Sequence, residues 1–141
     1  VLFQQAVPVF AELQPNTANL DPADVERKIT SKTRAIIAVH LAGNPCRLAE
    51  LKQIADKHKL ILIEDCAQAW GAKSRGRPVG TVGHIACFSL MGSKHICTGD
   101  GGVEHVGGLA EGAGHTVGAF VAFVHGRGAA GISGRGGRPA A

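Results

Sequence analysis

Three kinds of residue in this chain are spaced as a cofactor site would need them. An apolar run, Leu60-Ile61-Leu62-Ile63, leads into an acid at Asp65, with Gln68 just beyond it. A second run, Ile85-Ala86-Cys87-Phe88, leads into a hydroxyl at Ser89. Lys94 follows, ahead of the glycine-rich turn Gly99-Asp100-Gly101-Gly102. If both runs are strands, an acid, a hydroxyl and a lysine stand at the ends of neighbouring strands. That set suits pyridoxal phosphate: the acid faces the pyridine nitrogen, the hydroxyl holds the phosphate, and the amine bonds to the aldehyde. Taken singly, each residue has an ordinary role, as a helix-capping acid, a turn serine or a solvated lysine. Only their combination at this spacing favours the chemistry.

The motifs around these residues carry a resemblance. Ile63-Glu64-Asp65-Cys66-Ala67-Gln68-Ala69, Cys87-Phe88-Ser89, Ser93-Lys94 and Gly99-Asp100-Gly101-Gly102 occur in that order, after Val39-His40-Leu41-Ala42-Gly43-Asn44-Pro45. Over roughly Ala6 to Val103 the chain resembles the sugar aminotransferases of the DegT/DnrJ/EryC1/StrS family, a branch of the fold-type I pyridoxal-phosphate enzymes. The resemblance implies catalytic roles for Lys94 and Asp65. Lys94 would bond to the cofactor and carry the proton between substrate and cofactor, and Asp65 would keep the pyridine nitrogen protonated. Cofactor binding would fall to Asp65, Gln68 near the 3-hydroxyl, Ser89 at the phosphate, and Lys94. Trp70 departs from the family, which often has a histidine there; it reads equally as a sugar-pocket wall or as core packing. The resemblance further implies an amino-acid donor, a keto-sugar or related cyclic ketone as acceptor, and homodimers, while a cytoplasmic location is read from the cysteine usage.

These residues need a scaffold. Ala35-Ile36-Ile37-Ala38-Val39 is a continuous apolar run, the pattern of a strand covered on both faces. Arg47 to His58 carries Leu48, Leu51, Ile54 and Ala55 on one helical face, with Glu50, Lys52 and Lys57 on the other. Leu60 to Ile63 is the next strand, so strand, helix and strand form a crossover unit. Upstream, Asp21 as N-cap and Pro22 at the first helical position start a helix with Val25 and Ile29 on its apolar stripe. Pro8 to Leu13 reads as a short strand, Asp65 to Gly71 as a short helical piece, and Lys73 to Gly80 as a polar loop. Gly76 and Gly80 read as loop punctuation. His40 and Asn44 fall on the functional side of the sheet with open roles. The fold expected is α/β: a partial three-layer, mainly parallel sheet like the large domain of the pyridoxal-phosphate transferases, with an irregular Gly-rich C-terminal tail.

Composition bounds the rest. The chain has 141 residues and a net charge of +4 without a basic run, so charge alone argues for neither nucleic-acid nor membrane binding. No apolar stretch approaches the ~20 residues of a membrane span. Cys46, Cys66, Cys87 and Cys97 show no Cys-x-x-Cys spacing and read as reduced thiols rather than a disulfide or zinc framework. Val1 to Ala6 reads as the continuation of an element that began earlier. Residues 1–103 are expected to form a fragment of the cofactor-binding large domain. Residues 104–141 hold eleven glycines and none of the seven lysines. They are expected to be a disordered or frame-shifted Gly/Ala-rich tail, with the apolar patch Val117 to Val124 as a candidate strand or helical turn. His105, His115 and His125 fall ten apart, which gathers no metal site. The family's full length exceeds this chain, so an inactive truncated remnant or a non-catalytic α/β binding module stands as the alternative to an aminotransferase.

Overall fold

The computed structural model describes residues 1–2 and 5–107, together with the backbone of 119–122. Helix α1 spans Pro22–Lys28. The Asp21 carboxylate accepts from the Ala23 N–H at 3.1 Å, Pro22 presets the first helical φ, and Arg27 and Lys28 lie at the negative end. Helix α2, Leu48–His58, buries Leu48, Leu51, Ile54 and Ala55. It stops where Lys59 adopts a left-handed conformation (φ 55°) and its N–H turns back to the carbonyls of Ala55 and Asp56.

Strands β1 (Ala35–Val39), β2 (Ile61–Asp65) and β5 (Ile85–Ser89) run parallel, with β2 in the middle. Ala35 to Val39 lie opposite Ile61 to Asp65, and Asp65 lies opposite Cys87. Strand β6, Gly102–Val106, returns antiparallel to β5, and β7, Ala119–Ala122, pairs antiparallel with β6. The sheet order is thus β1-β2-β5-β6-β7. A small hairpin, β3 (Lys73–Ser74) and β4 (Arg77–Pro78), bridges β2 and β5. Arg75 and Gly76 both have positive φ at its tip, as a tight hairpin turn requires.

Side chains alternate between the two faces of the sheet. Ile36, Ala38, Leu62 and Ala86 point to the side that α2 packs against and form the core with Leu48, Leu51, Ile54, Ala55 and Val25. Leu51 and Leu62 have no exposed surface, so truncation of either to Ala would cost about 2–5 kcal/mol. On the opposite face Ile37 and Val39 remain 43% and 41% exposed. The continuous apolar run of β1 predicts cover on both sides, but among the described residues α2 supplies it on one. The sheet and one helical layer of the three-layer plan are therefore present.

Three local expectations change. Pro8 to Leu13 is extended but pairs only through an isolated bridge from Leu13 to Leu20, and Val7, Val9 and Phe10 are highly exposed. Asp65 to Gly71 forms turns instead of a helical piece, because the Cys66 N–H donates to the Cys87 carbonyl at 2.8 Å and keeps the chain on the sheet. Strand β6 crosses the boundary expected at 103/104, since Val103 to Val106 continue the ladder with β5. Within the patch 117–124, Ala119–Ala122 is a strand; the disorder expected for the tail falls on 108–118 and 123–141, outside the described residues.

Candidate cofactor site

Beneath the carboxyl edge of the sheet lies a buried acid. Glu64 has the same parity as Leu62, so its side chain enters the core, where it has no exposed surface. Four donors surround it. His40 Nε2 donates to Oε2 at 3.0 Å and the Gly80 N–H at 2.7 Å, while the N–H groups of Val82 and Gly83 donate to Oε1 at 2.9 and 2.5 Å. His40 Nδ1 accepts from the Cys46 N–H at 3.0 Å, which places the ring proton on Nε2. Burial pushes the Glu64 carboxyl up, but His40 and the three backbone donors outweigh it and hold the group below its ordinary value.

The glycines fit this arrangement closely. Gly80 has φ +83°, and a Cβ there would stand 2.5 Å from the Phe88 ring; at Gly83 one would stand 2.9 Å from the Leu62 carbonyl oxygen. Glu64 thus fastens the loop before β5 and the turn after β1 to the end of β2. Sequence reasoning missed it. The available signal was parity: an acid two residues after Leu62 must share its buried face.

Asp65, one residue on, takes the opposite face. It ends β2, is half-buried, and its Oδ1 accepts from the Ala67 N–H at 3.0 Å. Ser89 ends β5 on the same face, two positions past Cys87, the register partner of Asp65. Standard strand spacing separates their Cα atoms by about 8 Å. The Ser89 hydroxyl oxygen accepts from the Met91 N–H at 3.3 Å and keeps its own proton free to donate.

Gln68 and Lys94 meet elsewhere on this edge. Both line an open cavity of about 470 Å³ with Ala42, Ser93 and His95. Gln68 Oε1 accepts from the Ala42 N–H at 2.8 Å, so its amide nitrogen remains available. Lys94 is half-buried in the loop between β5 and β6, which is closed at its base by Leu90 N–H to Gly101 O at 2.9 Å and Thr98 N–H to Leu90 O at 3.0 Å. Asp65 and Ser89 do not line this cavity. The four residues therefore form two pairs on one sheet edge, the usual binding edge of open α/β sheets.

Trp70 joins the two strand ends. Its Nε1–H donates to the Ser89 carbonyl at 3.0 Å, and its ring lies 4.5 Å from that of Phe88. Among the described residues one group of potential metal ligands occurs, His40, Glu64 and Cys66. Both His40 nitrogens and both Glu64 oxygens already have protein partners, so the group reads as a structural network. The described thiols are all free; burial pushes Cys46 up to about 11 and Cys66 up to about 12.

This edge can hold an anion near Ser89, face a cation with Asp65 and present an amine from Lys94. Known proteins carry a similar segment. The chain is 43% identical over 103 residues to GDP-perosamine synthase of Escherichia coli O157:H7, covering 73% of this chain and 28% of that one. It is 50% identical over 97 residues to L-glutamine:2-deoxy-scyllo-inosose aminotransferase of Streptomyces kanamyceticus, covering 69% and 23%. Among solved structures, Spr1654 from Streptococcus pneumoniae, in its PLP form, superposes with a TM-score of 0.67 at 30% identity, covering 70% of this chain and 29% of that one. The chain thus spans about a quarter of the length of the curated relatives it matches. No helix among the described residues is long and apolar enough to cross a membrane. The family model for these enzymes matches residues 1–105, and the chain belongs to the DegT/DnrJ/EryC1/StrS aminotransferase family.

Proposed function

We propose that this chain forms the pyridoxal-phosphate side of an aminotransferase that moves an amino group from an amino acid to a keto-sugar or a related cyclic ketone. The observation that carries the reading is the placement of Asp65, Ser89, Gln68 and Lys94 along one carboxyl edge of the sheet. The donor set fits the cofactor: a carboxylate for the pyridine nitrogen, a hydroxyl for the phosphate, an amide for the ring hydroxyl, and an amine. Bound there, pyridoxal phosphate would supply an electron sink for the bonds broken at the amino carbon.

The protein's own part is positional. Asp65 would hold the proton on the ring nitrogen, Ser89 would donate to the phosphate, and Gln68 would orient the ring through its amide nitrogen. With the cofactor bound, Lys94 would hold its aldehyde carbon, and the same amine would be the group placed to carry a proton at the substrate carbon. The amino-acid donor, the sugar acceptor and a homodimeric assembly belong to this proposal. So does a cytoplasmic location, which the four free thiols support. A second reading is an α/β piece that holds cofactor without turnover; the observation in its favour is that Asp65 and Ser89 stand apart from the cavity that Gln68 and Lys94 line.

Borohydride reduction in the presence of pyridoxal phosphate, followed by peptide mass mapping, tests the site. The expected result is one phosphopyridoxyl group on Lys94 and none in Lys94→Ala. Label spread over several surface lysines would overturn the assignment. Transfer of amine from glutamine or glutamate to a keto-sugar separates the two readings.

A further inference from the structure

Trp70 has a place in no step above, yet its indole holds the peptide that leads from Ser89 into the loop carrying Lys94. Its indole N–H donates to the Ser89 carbonyl at 3.0 Å, and the next N–H, that of Leu90, donates to Gly101 O at 2.9 Å. The Ser89–Leu90 peptide is thereby gripped at both ends. From it the chain of bonds continues: Met91 N–H to the Ser89 hydroxyl oxygen at 3.3 Å, then Lys94 N–H to Met91 O at 2.9 Å. On the other side Trp70 follows directly on the turn holding Asp65 and Gln68. Packing against Phe88 fixes the indole plane and so aims the N–H.

We infer that Trp70 is a positioning residue: its N–H sets the Ser89–Leu90 peptide, and through it the Ser89 hydroxyl, for a phosphate monoester on an aromatic aldehyde. The inference rests on the cofactor reading above. It makes the phosphate-dependent part of affinity the quantity that Trp70 controls, while the aldehyde contact stays with Lys94.

The test compares pyridoxal 5′-phosphate with pyridoxal, which lacks the phosphate, by equilibrium dialysis. The proteins are the wild type, Trp70→Phe and Trp70→His. Phenylalanine keeps a ring against Phe88 but has no donor. Histidine Nε2 occupies the same ring position as indole Nε1, so it restores one. The ratio of the two affinities should fall about two- to ten-fold in Trp70→Phe, the range of one hydrogen bond. Pyridoxal binding should stay level, and Trp70→His should return the ratio to that of the wild type. General damage to the fold would weaken both ligands alike and leave the ratio unchanged. An unchanged ratio in Trp70→Phe, or a low ratio in Trp70→His, overturns the inference while the cofactor reading stands. A wild-type protein with no preference for the phosphorylated ligand overturns both.

Discussion

His40 and Glu64 form an enclosed pair: the imidazole Nε2–H donates to the carboxylate at 3.0 Å, and neither side chain has exposed surface. A buried charge survives only when its lone pairs are filled. Here the three N–H groups of Gly80, Val82 and Gly83 complete the shell. The pair therefore joins the turn after β1, the end of β2 and the loop before β5.

Glu64→Gln keeps the volume but turns an amide NH₂ toward backbone donors. It should cost about 3 kcal/mol in urea unfolding. His40→Ala should cost about 2–4 kcal/mol, since it also orphans the Cys46 N–H. Because both changes damage one network, the double variant should lose clearly less than the sum. Strict additivity would show that the pair is not coupled.

Asp24 sets an acid limb. The Glu12 N–H donates to it at 2.6 Å, and Lys28 and Arg27 add charge; against the opposing effect of burial they hold its carboxyl down to about 2, from an ordinary 3.8. The folded state thus binds fewer protons here than the unfolded state between those values. The stability it contributes is complete above about pH 4 and disappears as pH falls toward 2. Urea midpoints measured across this window should drop less steeply for Asp24→Asn than for the wild type. Parallel curves would exclude Asp24 as the group responsible.

The four thiols should separate by accessibility. Cys97 is exposed, whereas Cys46 and Cys66 are buried and pushed up to about 11 and 12. At pH 8 a thiol reagent should modify Cys97 quickly and leave Cys46 and Cys66 intact until denaturant is added. Rapid reaction of Cys66 in the folded protein would mean that the turn after β2 opens readily.

Local chemistry made part of this fold legible. Asp21 and Pro22 announce α1 because a cap and a fixed φ act within one turn. Leu48, Leu51, Ile54 and Ala55 announce α2 by their period. Parallel strands β1, β2 and β5 follow from their apolar runs and the crossover between them. The misses needed partners distant in sequence. Nothing near Cys66 says that its N–H will find Cys87 and suppress a helical turn. Pro8 to Leu13 has strand-like residues, yet a strand needs a neighbour, and Leu20 offers a single bridge. At the edge, the positions of Asp65 and Ser89 at the ends of β2 and β5 were readable from the apolar runs that lead into them. Glu64, their support, was hidden because its donors are mostly backbone N–H groups, which any residue can supply.

That dependence on distant donors also has a direction in time. A chain emerging from the ribosome releases β1, α2 and β2 first, while Gly80 and Gly83 lie 16 and 19 residues beyond Glu64. Until they emerge, the face of β2 that must meet α2 carries an acid lacking three of its four donors, and water competes with packing for it. The crossover unit is therefore not an autonomous folding piece. Any shortened version meant to fold has to extend past Gly83.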